Sequence, residues 1–144
     1  MPDYATYHVG MKLLLWKGDE VLFLRDAQTG HLDLPGGRID DNEDKIPLLD
    51  VLKREVTEEL GPDVQYEVGP FLFQYRRFSP RDKNVRVFVN VYGGRYVGGD
   101  IELSHEHGSY EWSNPFKRSF ALDDFLGEEE EHHAFVNYFK SVSN

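Results

Sequence analysis

Two apolar-rich runs, His8 to Trp16 and Glu20 to Arg25, flank Lys17-Gly18-Asp19, and the Gly-Asp pair marks a turn. The pattern predicts a buried β-hairpin. From Gly30 to Asn42 the chain is turn-rich, with Pro35-Gly36-Gly37 and Asp40-Asp41-Asn42, and reads as a loop entering a helix. That helix is expected to begin between Asp44 and Pro47, with Asp44 as cap and Pro47 in the first turn. Leu48, Leu52, Val56 and Leu60, joined by Leu49, form its i, i+4 apolar stripe, and Gly61-Pro62 ends it. Val64 to Phe78 and Asn84 to Tyr92 read as strands joined by the polar loop Ser79 to Lys83, after which Gly93, Gly94, Gly98 and Gly99 punctuate the chain. Ser109 to Ser113 is expected to be a short strand, and Glu128 to Ser141 a helix with Phe135, Val136 and Phe139 inward. Strands, a helix, more strands and a final helix make a mixed α/β or α+β arrangement with helices covering a sheet.

Composition narrows this further. The 144 residues suit one domain, 1–144, without repeat or linker, and 40% hydrophobic content with ten Phe, eight Tyr and two Trp can fill a core. A net charge of −10 argues against extended nucleic acid and anionic membrane, because both demand a positive surface. The lack of cysteine excludes disulfides, a thiolate nucleophile, cysteine zinc sites and iron–sulfur clusters. There is no basic lead before an apolar stretch at the N-terminus, and no apolar run approaches the roughly 18 residues that span a bilayer. A cytoplasmic location is the expectation.

The chemistry gathers on the first helix. Glu55, Glu58 and Glu59 stand at i, i+3 and i+4, so their carboxylates collect on one side. Three such groups beside a buried seam repel one another unless a cation neutralises them, and hard divalent cations prefer oxygen ligands. Taken alone they also suit a solvated face balanced by Lys53 and Arg54. The surroundings favour the first reading. Gly37, five residues, Glu43, then Arg54-Glu55-Val56-Thr57-Glu58-Glu59-Leu60-Gly61 closely resembles the Nudix box. Ten residues instead of seven separate Glu43 from Arg54, and Pro62 stands where an aliphatic residue is usual. The approach Leu32-Asp33-Leu34-Pro35-Gly36-Gly37 is similar to the family's lead-in, and Leu103-Ser104-His105-Glu106-His107 before Tyr110-Glu111-Trp112 is similar to its later Glu-His segment.

The resemblance implies a Nudix-type mixed β-sheet sandwiched between helices, and a hydrolase that uses Mg²⁺ or Mn²⁺ to direct water onto a phosphorus of a nucleoside diphosphate derivative. It implies Glu55, Glu58, Glu59 and the Gly37 carbonyl as metal ligands, Arg54 as the residue orienting a carboxylate, and Glu43 as a support. Either Glu55 or Glu106 serves as base, Glu55 being favoured. Arg76, Arg77 and Arg81, with Lys83 and Arg86, are the only local concentration of positive charge for substrate phosphates, yet alternate residues of a strand face opposite ways. His105 and His107 offer metal ligands, but hard Mg²⁺ prefers oxygen and a loop histidine is more often solvated, so they read as loop surface; His132 and His133 read as helix surface, and Glu128 to Glu131 as a charged helix start.

Two alternatives remain in view. An isopentenyl diphosphate isomerase-like activity resembles chemistry that needs a cysteine acid, which is missing. A non-catalytic Nudix domain that binds nucleotides as a sensor would match the inserted residues, although the box glutamates are all present. Many relatives dimerise, which leaves a homodimer open.

Overall fold

A computed structural model describes residues 3–143. Its centre is the first strand, β1 (His8–Lys17), which pairs antiparallel with β2 (Glu20–Asp26) through the expected hairpin. The stretch read as a loop after β2 contributes two short strands, β3 (Leu32–Asp33) on β2 and β4 (Gly36–Arg38) on β1. A 3₁₀ turn, Asp41–Glu43, follows. Helix α1 then runs from Leu48 to Leu60.

The helix start differs from expectation. Asp44 closes the 3₁₀ turn, and Pro47 is the N-cap, which has no side-chain bond to offer. A proline just before the first turn needs no N–H there. Gly61 ends α1 at φ +90, a conformation that favours glycine.

β5 (Gln65–Ser79) and β6 (Asp82–Gly98) form one long antiparallel hairpin. β6 runs straight through Gly93 and Gly94, where the sequence alone predicts a break. They are glycines because neighbours press close: a methyl on Gly94 would lie 2.8 Å from Leu13 Cδ1 and 3.1 Å from the Glu67 carbonyl. β6 also pairs in parallel with β1, from His8 opposite Val87 to Trp16 opposite Arg95, and β7 (His107–Ser113) adds antiparallel to β2. A second 3₁₀ turn, Leu122–Phe125, leads into α2 (Glu129–Val142).

The result is a seven-stranded mixed sheet with a helix on each face, the α+β class expected. Alternation along β1 divides the core. Met11, Leu13 and Leu15 pack with Val51, Leu52, Val56 and Leu60 of α1, while Leu14 packs with Phe23, Tyr75, Phe135 and Phe139 on the α2 side. Burying each such side chain contributes about 1.5–3 kcal/mol, so the stripe of α1 alone secures it to the sheet. Leu48 and Leu49 of that stripe remain exposed, and its buried face takes in Val51 and Glu59 instead.

β5 is an edge of the sheet. Its ladder is broken by a register shift between Val68 and Phe71, at Gly69-Pro70. Farther along, the backbone N–H of Arg76 donates to Glu130 and that of Phe78 to Glu128, carboxylates at the start of α2.

Candidate active site

The helix α1 brings Arg54, Glu55, Glu58 and Glu59 to one end of the sheet, where the 3₁₀ turn brings Glu43 to meet them. Arg54 ties four of these five together. Its Nε and Nη2 each donate to the Glu43 carboxylate at 2.6 Å, Nη2 also donates to Glu55 at 2.8 Å, and Nη1 donates to Glu58 at 2.7 Å. The extra residues after Glu43 are absorbed between the 3₁₀ turn and α1, so Glu43 still reaches Arg54. Glu43 is buried and caps the Asp40 N–H besides. Glu58 is the outlying member, 59% exposed.

Glu55 faces inward, against the glycine turn. A methyl on Gly37 would lie 2.1 Å from Glu55 Oε2, so a side chain there would push the carboxylate from its present place. Gly36 has φ +131, and a methyl there would lie 2.1 Å from the Met11 carbonyl. The Pro-Gly-Gly turn therefore presents bare backbone to a carboxylate. Burial pushes the Glu55 pKa up, and Arg54 opposes this without cancelling it.

Glu59 is buried beside the loop leading into β7. Ser104 Oγ donates to its Oε2 at 3.0 Å, and His107 Nδ1 stands 2.8 Å from the same oxygen, without the alignment of a hydrogen bond. His107 is thus buried, contrary to the surface reading, because Glu59 draws it inward. His105 and Glu106 are exposed, and Glu106 lines the cavity described next.

Between these acids and the far end of β5 lies a cavity of about 320 Å³. Gly37, Glu55, Glu59 and Glu106 line it, and Lys12, Arg38, Arg77 and Arg81 bring positive charge to it. The basic run thus divides as alternation requires. Arg76 faces out to Glu130. Arg77 turns in and is buried, and Arg81 reaches back from the hairpin tip to Asp26 at 2.6 Å. Burial raises the Asp26 pKa, but hydrogen bonds from Arg81 and from the Thr29 and Gln28 amides bring it down to about 2.

Beneath the cavity, Lys12, Asp33, Arg77 and Glu131 form a buried chain of charge. Arg77 donates to Glu131 at 2.8 Å and to Asp33 at 3.1 Å, and Lys12 donates to Asp33 at 3.4 Å. Two carboxylates share the one guanidinium, but only Asp33 has the ammonium as well. Burial raises both pKa values; Arg77 and Lys12 overcome it and hold Asp33 far below the usual range, whereas Glu131 is pushed up to about 7. Glu131 is therefore no surface residue of a charged helix start: it is 1% exposed. His132 likewise meets the Phe120 carbonyl at 2.7 Å, while His133 stays exposed.

Among the described residues no three His, Asp or Glu side chains converge tightly enough to hold a metal ion as they stand. Arg54 engages Glu55 and Glu58 itself. The donors nevertheless suit a hard cation. Glu55 and Glu59 line one cavity with the side-chain-free backbone of Gly37, all offer oxygen, and the half-buried Glu55 is short of compensating charge.

The family model described as "NUDIX domain" matches residues 6–139. No curated protein matches the sequence significantly. Among solved structures, a MutT protein from Methanosarcina mazei Go1 is similar at 27% identity and TM-score 0.67, with 96% of each chain covered. An ADP-ribose pyrophosphatase from Streptococcus suis 89-1591 is 21% identical, with 96% of this chain and 95% of that one covered and TM-score 0.61. A UDP-X diphosphatase is 12% identical, with 99% of this chain and 68% of that one covered and TM-score 0.68. At those two identities the likeness concerns the fold alone.

Proposed function

The chain belongs to the Nudix hydrolase family, whose enzymes cleave diphosphate linkages in small nucleotide-like molecules, and from that premise we propose a divalent-cation-dependent hydrolase of a nucleoside diphosphate derivative, with Mg²⁺ or Mn²⁺ as the ion. The observation that carries this reading is a cavity lined by both signs of charge, with Glu55, Glu59 and Glu106 beside Arg38 and Arg81. A polyanion suits the arginines, and a hard divalent cation would suit the carboxylates.

Glu59 and the Gly37 carbonyl would hold the cation, with Glu58 once Arg54 releases it. When bound, such an ion neutralises charge on phosphate oxygens and lowers the pKa of water it touches. The chain's own residues do the rest. Glu55 takes the proton of the attacking water, a role supported by a carboxyl whose pKa is raised toward the working pH. Arg54 holds that carboxyl in place through its planar fork. Arg38 and Arg81 meet the phosphates, Arg81 after parting from Asp26. Glu106 is the second candidate for the proton. The catalytic unit is a single domain acting in the cytoplasm, as a monomer or a homodimer.

The test is a panel of diphosphates (ADP-ribose, nucleoside triphosphates, dinucleoside polyphosphates, sugar nucleotides) with Mg²⁺ or Mn²⁺, read as nucleotide and phosphate products. Turnover that stops with excess chelator is expected, and Mg²⁺ alone should raise the melting temperature because it binds only the folded state. Full turnover in chelator sinks the metal-dependent reading. Nucleotide binding with no product across the panel replaces it with a sensor.

A further inference from the structure

A residue that belongs to no motif stands at the cavity floor. Lys12 sits in β1 between Met11 and Leu13, on the α2 side, and is only 6% exposed. An ammonium has three N–H donors and no acceptor. Here three acceptors surround it: Asp33 Oδ2 at 3.4 Å, the Leu34 carbonyl at 3.1 Å and the Gly36 carbonyl at 3.2 Å. No donor is left for a substrate phosphate.

Those acceptors lie on the turn that delivers Gly37. Asp33 is itself fixed, accepting the Leu34 N–H at 2.8 Å and the Arg77 guanidinium. Gly36 is paired directly opposite Lys12 between β4 and β1. The ammonium thus grips the turn at Asp33, Leu34 and Gly36, immediately before the glycine that faces Glu55.

We propose that Lys12 is a positioning residue for diphosphate hydrolysis, its ammonium stapling the Leu34–Gly36 turn so that the Gly37 backbone and the Glu55 carboxylate keep their mutual placement. This rests on the roles of Gly37 and Glu55 given under Proposed function. The turn has a second anchor, because the Leu13 N–H donates to the Pro35 carbonyl at 2.9 Å. Removing the ammonium therefore loosens the Gly36 side of the turn without detaching it.

Lys12→Met and Lys12→Arg test this. The arginine variant keeps the buried positive charge that Asp33 needs, so it preserves folding where the methionine fails, yet its planar fork cannot reach three convergent acceptors as an ammonium does. Mn²⁺ affinity by electron paramagnetic resonance is measured beside kcat and KM on whichever panel diphosphate the wild type turns over fastest. We expect about 10–100-fold weaker Mn²⁺ binding and a similar fall in kcat, the range for residues that hold ligands in place, with KM within about twofold. A raised KM with kcat intact makes Lys12 a phosphate contact and overturns the proposal. So does a lower melting temperature with unchanged Mn²⁺ affinity and kcat, or full activity in Lys12→Arg. A wild type that neither binds Mn²⁺ nor hydrolyses any diphosphate overturns the functional reading itself, and this one with it.

Discussion

The molecule carries two clusters of opposite charges beside the cavity, and they are built on different rules. On α1, Arg54 gathers Glu43, Glu55 and Glu58 at a rim where the guanidinium is 34% exposed and Glu58 more so. Under the cavity, Lys12, Asp33, Arg77 and Glu131 are all less than a tenth exposed and come from four different elements, β1, β3, β5 and α2. In the rim cluster water reaches Arg54 and screens its pair with Glu58, so that partner is replaced cheaply and its carboxylate can be handed to another cation. In the buried cluster every charge depends on its neighbour, so the same loss leaves a bare charge in a poor solvent. The proposed chemistry falls on the cluster that water reaches, and the buried one holds the turn and strands beside it.

The sharpest way to break this comparison is to remove a rim charge where chemistry is assigned. Glu55→Gln should lower kcat by about 10²–10⁴-fold, the usual contribution of a positioned base, with unfolding in urea almost unchanged. Excess Mg²⁺ should not restore it. Restoration would move Glu55 to the metal ligands and the proton to Glu106, whose Gln variant is expected to lose less or to be rescued by metal.

Arg77→Leu attacks the other cluster. It strands Asp33 and Glu131, so the loss should appear chiefly as stability, about 3–5 kcal/mol by urea denaturation. A change below about 1 kcal/mol would show that the buried charges do not depend on one another.

The clusters also part in their response to pH. Burial pushes Glu131 up to about 7, so the folded chain holds a proton that the unfolded chain has already released above an ordinary carboxylate pKa of about 4.3. The unfolded state then binds fewer protons, and stability falls as pH rises from about 4.5 to about 7. The expected loss across that window is about 1–3 kcal/mol, and Glu131→Gln should flatten it. A wild-type profile already flat over that range refutes the assignment.

The mildest effect belongs to the exposed arm of Arg54. Glu58→Gln should change stability by about 0.5 kcal/mol or less, the worth of a surface i, i+4 pair. A larger loss would mean that the rim behaves like the buried cluster.

The same contrast explains what could be read from the chain. Glu55, Glu58 and Glu59 were legible because a helix turns a spacing of three or four into proximity, and Pro35-Gly36-Gly37 because turns have local chemistry. The four buried charges have no such signature: their sequence positions span from 12 to 131, and only the sheet brings them together. A single lysine within the apolar run of β1 was the available sign, since an ammonium buried there needs acceptors. His107 escaped for a related reason, because its burial depends on Glu59, 48 residues earlier. Element types were legible throughout, whereas β3, β4 and the full length of β6 depend on pairing partners that local pattern does not name.

The acidic start of α2 has a consequence for how this protein behaves at high concentration. An edge strand ordinarily offers a row of free amides on which a second chain can lay a strand of its own, the opening step of aggregation. Along β5 three positions withhold theirs: Pro70 has none, Arg76 gives its amide to Glu130, and Phe78 gives its amide to Glu128. An incoming strand would meet a gap and then two carboxylates already bound to the groups it seeks. The glutamates that open the last helix thus serve as stoppers on a neighbouring strand, and they discourage this edge from recruiting other chains.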